Sequence, residues 1–388
     1  MPSVSAVERS AGFRSRHDRR QADLRRRLGE AELPALLVTH LPNVFYLSGF
    51  AGSAGALLVT VDAVRFIVDN RYATVARAAA AAIESEAISV VDVESSYEAT
   101  YRDLLRASGV SRVGVEAAHI SLAQHEWLQT ALAEQGPEIV SSRDLVEAGR
   151  LVKDASELQI LTEAGARISA VMEAQITRLR SGTTELEVAA NIDHAIRTAG
   201  FERPAFDTIV ASGPHTALPH ARPGTRVLKK GDLVLLDFGG VYRGYCVDLT
   251  RVASLGAPSD EARSWHGAVR EAHQSALGTV RVGATTAAID HAARSTLESK
   301  GLGETFGHGT GHGLGIEVHE APRIGRRRGP DGVPDPEDVP LEAGMVFTVE
   351  PGVYLPEHGG VRLEDDVVVT TDGYRLLTNV SLDLREVG

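Results

Sequence analysis

The 388-residue chain has one cysteine, Cys246, so no internal disulfide can staple it, and a reducing cytoplasm is the compartment expected for it. No apolar run approaches the ~20 residues needed to span a bilayer, so no transmembrane helix and no membrane partner are expected. The first residues are polar and Arg-rich and lack a hydrophobic h-region, so no secretory signal is expected either. Nucleotide fingerprints are also missing. No Gly-x-Gly-x-x-Gly appears in the first part of the chain, and no Gly-Lys-Ser/Thr closes a phosphate loop anywhere. A net charge of −12 argues against general nucleic-acid affinity. The locally basic run from Arg9 to Arg27 is interrupted by Asp18 and Asp23, and reads as a solvated first helix rather than a nucleic-acid or lipid patch. What remains is a soluble globular protein, long enough that two domains are the default.

From about Leu33 strands and helices alternate. Ala35–Thr39, Ala56–Val61 and Val64–Asp69 read as strands, the last two flanking a turn at Asp62-Ala63. Arg71–Ile83 is alanine-rich and reads as a helix, as do Tyr97–Ala107 and Leu122–Glu134. Ile88–Val93, Val113–Glu116 and Glu138–Val140 read as further strands. The alternation predicts an α/β domain over residues 1–149, with Arg150–Ser156 crossing into a second domain, 150–388. A long helix is predicted from Ala155 to Arg180, with Leu158, Leu161, Ile168, Met172, Ile176 and Leu179 on one face and Gly182 as its stop. Another opens at Thr184, with Glu187 at capping-box spacing, and ends near Gly200.

The second domain contains an internal echo. Ile192-Asp193-His194-Ala195 with Arg197 recurs as Ile289-Asp290-His291-Ala292 with Arg294, and each follows an Arg-x-Gly, at Arg180–Gly182 and Arg281–Gly283. Gly231 then precedes an apolar strand that ends at Asp237. Gly344 precedes one that ends, at the same interval, at Glu350. Two related halves are therefore predicted, each giving helices and then an antiparallel hairpin with an acid in the same place.

Each hairpin carries a second acid on its return strand. In the first, Leu233–Phe238 leads through a turn at Gly239–Gly244 into Tyr245–Val252, and a symmetric turn would set Asp237 opposite Asp248. In the second, Val346–Glu350 leads through Pro356–Gly360 into Val361–Val369, setting Glu350 opposite Glu364, with the Pro351-Gly352 break expected to shift that register somewhat. Facing residues have Cβ atoms about 4.5–5.5 Å apart, where like charges repel. Carboxylates forced together in apolar hairpins need a proton or a cation between them.

Between the halves lies Gly307–Glu320, in which every odd position from Gly307 to Gly315 is glycine and His308, Thr310, His312 and Leu314 alternate with them. A period of two predicts an extended strand whose bare backbone something approaches closely. Alternating glycine excludes a helical His-Glu-x-x-His zinc site. The four carboxylates carry the charge of two divalent cations, and the His312 nitrogen favours Mn²⁺, Fe²⁺, Co²⁺ or Zn²⁺ over Ca²⁺ or Mg²⁺. Such a pair of ions supplies the Lewis acidity and acidified water that hydrolysis needs.

These residues resemble the creatinase-related metallopeptidases, the group of aminopeptidase P, prolidase and methionyl aminopeptidase. The resemblance is carried by Leu218-Pro219-His220, Asp237-Phe238-Gly239, Asp248-Leu249-Thr250-Arg251, His308 through Glu320, Glu350-Pro351-Gly352 and Val361-Arg362-Leu363-Glu364-Asp365, and more loosely by Asn43–Gly49 and Asp69–Tyr72 in the first domain. That first domain points to the aminopeptidase P and prolidase branch, since methionyl aminopeptidases lack it. The resemblance implies an α+β architecture: a pita-bread catalytic domain with pseudo-twofold symmetry, preceded by an α/β creatinase-type N-terminal domain. It implies the metal ligands Asp237, Asp248, His312, Glu350 and Glu364, with Asp248 and Glu364 bridging two ions, Mn²⁺ first among the candidates. His220 and His319 would contact the substrate and the tetrahedral intermediate, His308 would line the site near the proline, and Glu350 would help move protons. Arg362, on the strand face of Glu364, would orient a ligand or meet a substrate carboxylate. The implied activity is cleavage before proline in an Xaa-Pro peptide, by an aminopeptidase acting on longer peptides or, alternatively, by a dipeptidase, in a homodimer. A metal-free hydrolase and a non-catalytic peptide, histone or RNA binder also occur on this fold, but no ligand position is lost here. The Arg- and Pro-rich stretch 323–340 reads as a solvated loop beside the site.

Overall fold

The computed structural model describes residues 11–83, 88–326 and 338–388, and divides into two compact units, Met1–Arg150 and Leu151–Gly388. Of the Arg326-Arg327-Arg328 run, Arg327 and Arg328 lie outside the described residues, as does most of the 323–340 loop. Among the described residues no helix is long and apolar enough to cross a membrane.

The first unit is a six-stranded sheet, β1 (Ala35–Val38), β2 (Ala56–Thr60), β3 (Val64–Val68), β4 (Ile88–Asp92), β5 (Arg112–Glu116) and β6 (Glu138–Ser142), in the order β4-β3-β2-β1-β5-β6. The predicted helices appear as Ala73–Ile83, Tyr97–Ala107 and Leu122–Leu132. A short helix that the periodicity did not announce, Leu41–Ser48, starts with Pro42 in its first turn and stops at Gly49, whose φ of 73° closes the last turn. The first helix, Ala11–Glu30, is not the freely solvated element expected from its charge. Leu24 and Leu28 are buried, Arg20 Nη1 donates to Tyr46 O at 3.0 Å, and Gln21 Nε2 donates to Leu47 O at 3.0 Å. The end of helix Leu41–Ser48 leaves carbonyls without intrahelical donors, and a cation there also meets the negative pole of the helix dipole. Part of the basic run is therefore an internal cap.

The second unit shows its repeat in the backbone. Helices Glu185–Thr198 and Thr286–Ser299 are capped by the Thr184 and Thr285 side chains, and Thr184 and Glu187 form the predicted capping box. Thr184 bridges Val227, and Thr285 bridges Pro340. In the first half, β8 (Ile209–Ser212), β9 (Leu233–Asp237) and β12 (Thr250–Leu255) lie side by side and antiparallel. In the second, β13 (Gly311–Gly313), β15 (Val346–Val349) and β18 (Asp365–Thr370) do the same. Each central pair extends into a short hairpin, β10 (Gly240–Tyr242) with β11 (Tyr245–Val247), and β16 (Gly352–Leu355) with β17 (Gly359–Arg362). Strands β7 (Arg203–Pro204), β14 (Glu320–Ile324), β19 (Gly373–Leu376) and β20 (Arg385–Val387) complete the sheets. A core of Leu235, Val252, Val269, Ala272, Ile289, Phe347 and Val361 sits between these sheets and helices Asp260–Thr279 and Thr286–Ser299.

Two register expectations are corrected. Asp237 pairs with Thr250, not Asp248, because the first hairpin turns at Arg243-Gly244, with φ of 49° and 80°, rather than between Tyr242 and Arg243. Positive φ at both central residues is the two-residue turn that suits strand twist. In the second hairpin Val349 pairs with Asp365 and Gly352 with Arg362, one continuous register with Glu350 and Glu364 between these pairs. The Pro351-Gly352 break interrupts the strands without shifting them.

Candidate metal centre and cleft

The site is assembled where the two hairpins meet the glycine-rich stretch. Asp237 ends β9, Asp248 lies in the break between β11 and β12, Glu350 follows β15, and Glu364 lies in the break between β17 and β18. His312 is the middle residue of β13. All of these, with His220, His308, His319 and Arg362, line one cleft of about 490 Å³.

The glycine-rich stretch is less of a strand than its period of two predicts. Only Gly311–Gly313 is extended and paired, between β14 and β15, and a bulge after His312 re-aims the chain. Gly311 and Gly313 admit neighbouring backbone. A Cβ on Gly311 would lie 1.9 Å from Thr348 O, and one on Gly313 would lie 2.1 Å from Ala321 O.

Asp248, His312 and Glu364 each offer a ligand atom within 4.8 Å of the others. His312 Nδ1 faces its neighbour's carbonyl, Gly313 O, at 3.1 Å, so that nitrogen carries the proton. The Nε2 lone pair then points toward Glu350 Oε1 at 3.6 Å and Asp248 Oδ2 at 4.0 Å. Three lone-pair donors turned on one another repel unless a cation sits among them. Asp248 Oδ1 is buried without a hydrogen-bond donor. Burial pushes Asp248 and Glu364 well above the ordinary carboxylate range, and the surrounding acids push them further. Burial likewise raises Glu350 to about 7. Burial also pulls His312 down to about 4, with His319 adding to the effect, which leaves a neutral imidazole ready to donate. The donor set fits divalent cations.

Other side chains fix this set. Arg362, itself buried, makes a close ion pair with Asp237. It also donates through Nη1 to Tyr354 OH at 2.8 Å and Pro219 O at 3.2 Å, and through Nε to Thr250 Oγ1 at 3.3 Å. Thr250 Oγ1 in turn donates a hydrogen bond to Glu364 Oε2 at 2.6 Å. Tyr354 OH lies 2.8 Å from His308 Nε2, whose other nitrogen faces Gly309 O at 2.7 Å. Asp366 Oδ2 accepts from Asp248 N at 3.0 Å. Of the two roles open to Arg362, the geometry therefore fits the holding of a ligand, since each of its nitrogens already has a partner. His319 stands edge-on to His312, ring centroids 4.3 Å apart. Burial, and then His220, lower its pKa. Thr250, Tyr354, Asp366 and the cleft-lining Arg323 carried no role in the sequence reading. Thr250 stands inside the Asp248–Arg251 motif and Asp366 beside Glu364-Asp365, so these two had a local signal.

A profile of the creatinase/prolidase N-terminal domain matches residues 20–152, and one of metallopeptidase family M24 matches residues 159–371. The chain is 31% identical over 353 residues to the Xaa-Pro dipeptidase of Pyrococcus horikoshii, covering 91% of this chain and 94% of that one. It superimposes on the structure of an Xaa-Pro dipeptidase from Bacillus anthracis with a TM-score of 0.88 at 34% identity, over 95% of this chain and 99% of that one. An X-Pro aminopeptidase structure from Thermotoga maritima matches with a TM-score of 0.81 at 34% identity, over 91% and 97% of the two chains. The duplicated hairpins and sheets are the pita-bread architecture, and divalent-metal use goes with it. By profile, sequence and fold, the chain belongs to metallopeptidase family M24, with a creatinase-type domain ahead of the catalytic one.

Proposed function

We propose that this chain is a dinuclear Xaa-Pro dipeptidase, a prolidase. The sequence leaned toward an aminopeptidase, because no second cation could be matched to the free carboxylate of a dipeptide. The observation that carries the proposal is Arg323. It lies on β14 and lines the cleft that holds the acids. A guanidinium can pair a carboxylate with two hydrogen bonds. The Bacillus anthracis and Pyrococcus horikoshii dipeptidases among its relatives point the same way.

In this reading Asp237, Asp248, His312, Glu350 and Glu364 would hold two divalent ions, Mn²⁺ first among the candidates. Ions held there would supply Lewis acidity and lower the pKa of a bound water. The chain's own groups do the rest. His220 and His319 donate hydrogen bonds to the scissile carbonyl oxygen as it gains charge. Glu350 takes a proton from the attacking water and passes it to the departing proline nitrogen. His308 bounds the proline side of the cleft, and Arg362 keeps Asp237 aimed. The working unit is a cytoplasmic homodimer.

The test compares Xaa-Pro, its C-terminal amide and Xaa-Pro-Xaa on the parent enzyme and on Arg323→Gln. One charge-assisted hydrogen-bond contact is worth about 1.5–3 kcal/mol. Arg323→Gln should thus lower kcat/KM for the dipeptide roughly 10- to 100-fold and leave the poor amide substrate unchanged. Equal turnover of dipeptide, amide and tripeptide by the parent would make it an aminopeptidase instead.

A further inference from the structure

The repeated Ile-Asp-His-Ala…Arg motif takes no part in the chemistry proposed above, yet its second copy grips the cleft wall. Asp290 and Arg294 sit one turn apart on helix Thr286–Ser299, both buried, and form a two-pronged ion pair at 2.9 and 3.0 Å. The pair does not close on itself. Arg294 Nη1 donates to Phe306 O at 2.9 Å, and its Nη2 donates to His308 O at 2.8 Å. Asp290 Oδ1 accepts from Thr310 N at 3.1 Å and from Thr310 Oγ1 at 2.9 Å. Every second residue from Phe306 to Thr310 is thus held by one ion pair.

This stretch needs an outside hold. Strand pairing begins only at Gly311, and Gly307 and Gly309 have no side chains to anchor. The hold also reaches the imidazole between them. The Phe306 ring lies under the Arg294 guanidinium at 4.2 Å and meets the His308 ring edge-on at 5.0 Å. In the first half the same positions act alike but more loosely. Asp193 accepts from Thr208 Oγ1 at 2.5 Å, Thr208 also lines the cleft, and Arg197 donates to Glu202 O at 2.9 Å.

We infer that Asp290–Arg294 is a positioning pair that sets His308, and with it the selectivity of the cleft for proline. The inference rests on the Xaa-Pro reading for its substrate, but not for its geometry. A buried pair broken at one end leaves an uncompensated charge, so the test keeps the charge and removes the fork, using Arg294→Lys. Displacement of a substrate-positioning group by about 1 Å can lower turnover on the order of 10²-fold. The variant should lose about that much kcat/KM on Xaa-Pro, chiefly through KM, and the ratio of Xaa-Pro to Xaa-Ala turnover should fall with it. Bound divalent metal should match the parent. An unchanged ratio in a folded variant overturns the inference. So does loss of metal, because Thr310 O accepts from Glu350 N at 2.7 Å and the pair would then serve a ligand. If Arg294→Lys fails to fold, Thr310→Val is read by the same criteria. Histidine ¹⁵N spectra of chelated protein, with the His308 signal identified by its loss in His308→Ala, separate this inference from the proposed activity. The fixed Nδ1–H form of His308 should give way to averaging in Arg294→Lys, even if the parent cleaves no Xaa-Pro peptide. An unaltered signal sinks the positioning role.

Discussion

Stripping divalent ions should leave the acid cluster as a pH-dependent weakness, and Glu350→Gln isolates it. Burial is the main reason the Glu350 pKa rises from 4.5 to about 7. A carboxyl with a raised folded-state pKa contributes stability that is complete below the unfolded value and is lost as pH climbs through the folded one. One pKa unit corresponds to about 1.4 kcal/mol, so the loss from pH 4.5 to 7 is about 3 kcal/mol. With 18% of the side chain still open to the cleft, that figure is an upper bound. The absolute melting curve cannot display it alone. His266, His308 and His312, each pulled down to about 4 by burial, work in the opposite sense. Their contribution is present above about 6.5 and disappears as pH falls toward 4. Subtracting the curve of Glu350→Gln removes the histidines, which both proteins share. For a domain of this size about 1 kcal/mol moves Tm by roughly 2–4 °C. Between pH 5 and 7.5, chelated parent should therefore lose up to about 6–12 °C relative to chelated Glu350→Gln, measured by calorimetry at fixed ionic strength. Saturating Mn²⁺ should stabilise the parent most at the higher pH, where the acids give up their protons readily. Parallel melting curves for the two chelated proteins would refute the reasoning, because Glu350 would then be ionised in the fold at both pH values.

The remaining predictions concern single contacts. His319→Ala should lower kcat on the order of 10²–10³ while metal content, read by elemental analysis, stays at the parental value; lost metal would make His319 a ligand. Thr250→Val removes the 2.6 Å donor to Glu364 Oε2 and should weaken metal binding roughly 10- to 100-fold in a calorimetric titration. An unchanged affinity would mean that Thr250 only fills space. Gly311→Ala would place a Cβ 1.9 Å from the Thr348 carbonyl oxygen, a backbone atom that cannot swing away. Its cost should exceed the ~1–3 kcal/mol of ordinary overpacking and appear as a large drop in Tm; a parental Tm would show that β13 and β15 part easily.

What the sequence reveals of this fold follows from the range of the forces involved. Periodicity and capping are local, so the first unit's strands, the helix after Thr184 and its capping box could be read directly. Helix Leu41–Ser48 could not, because its end is satisfied by Arg20 and Gln21 from a separate helix. The supports of the cleft are equally distant. Arg362 reaches Asp237 across 125 positions, and Asp248 N reaches Asp366 across 118. Nothing in the neighbourhood of Tyr354 marks it as the bridge between Arg362 and His308. Arg323 stood within a run of charge that resembled an ordinary solvated loop.

The two hairpins show why the acids could be found even where their pairing was misjudged. Their turns differ. The second is centred near residue 357, as its prolines and glycines indicate, whereas the first turns one residue later than its own glycines suggest, because Arg243 adopts a φ of 49°. Moving a hairpin's centre by one residue moves every partner by two, and side chains in a strand alternate with a period of two. The displaced partner of Asp237 is therefore Thr250, and Asp248, two positions away, still lines the same cleft. A displacement by one residue would have turned Asp248 to the opposite face and left the cluster without one of its acids. The same parity governs the glycine-rich stretch, where His308, Thr310 and His312 keep an even spacing although only the last lies in a paired strand. Even spacing survives the exchange of ladder hydrogen bonds for the grip of Asp290 and Arg294, because both holds take every second residue. The echoed motif and the alternating glycines are thus parts of one device, in which a helix supplies the alternation that the sheet does not reach.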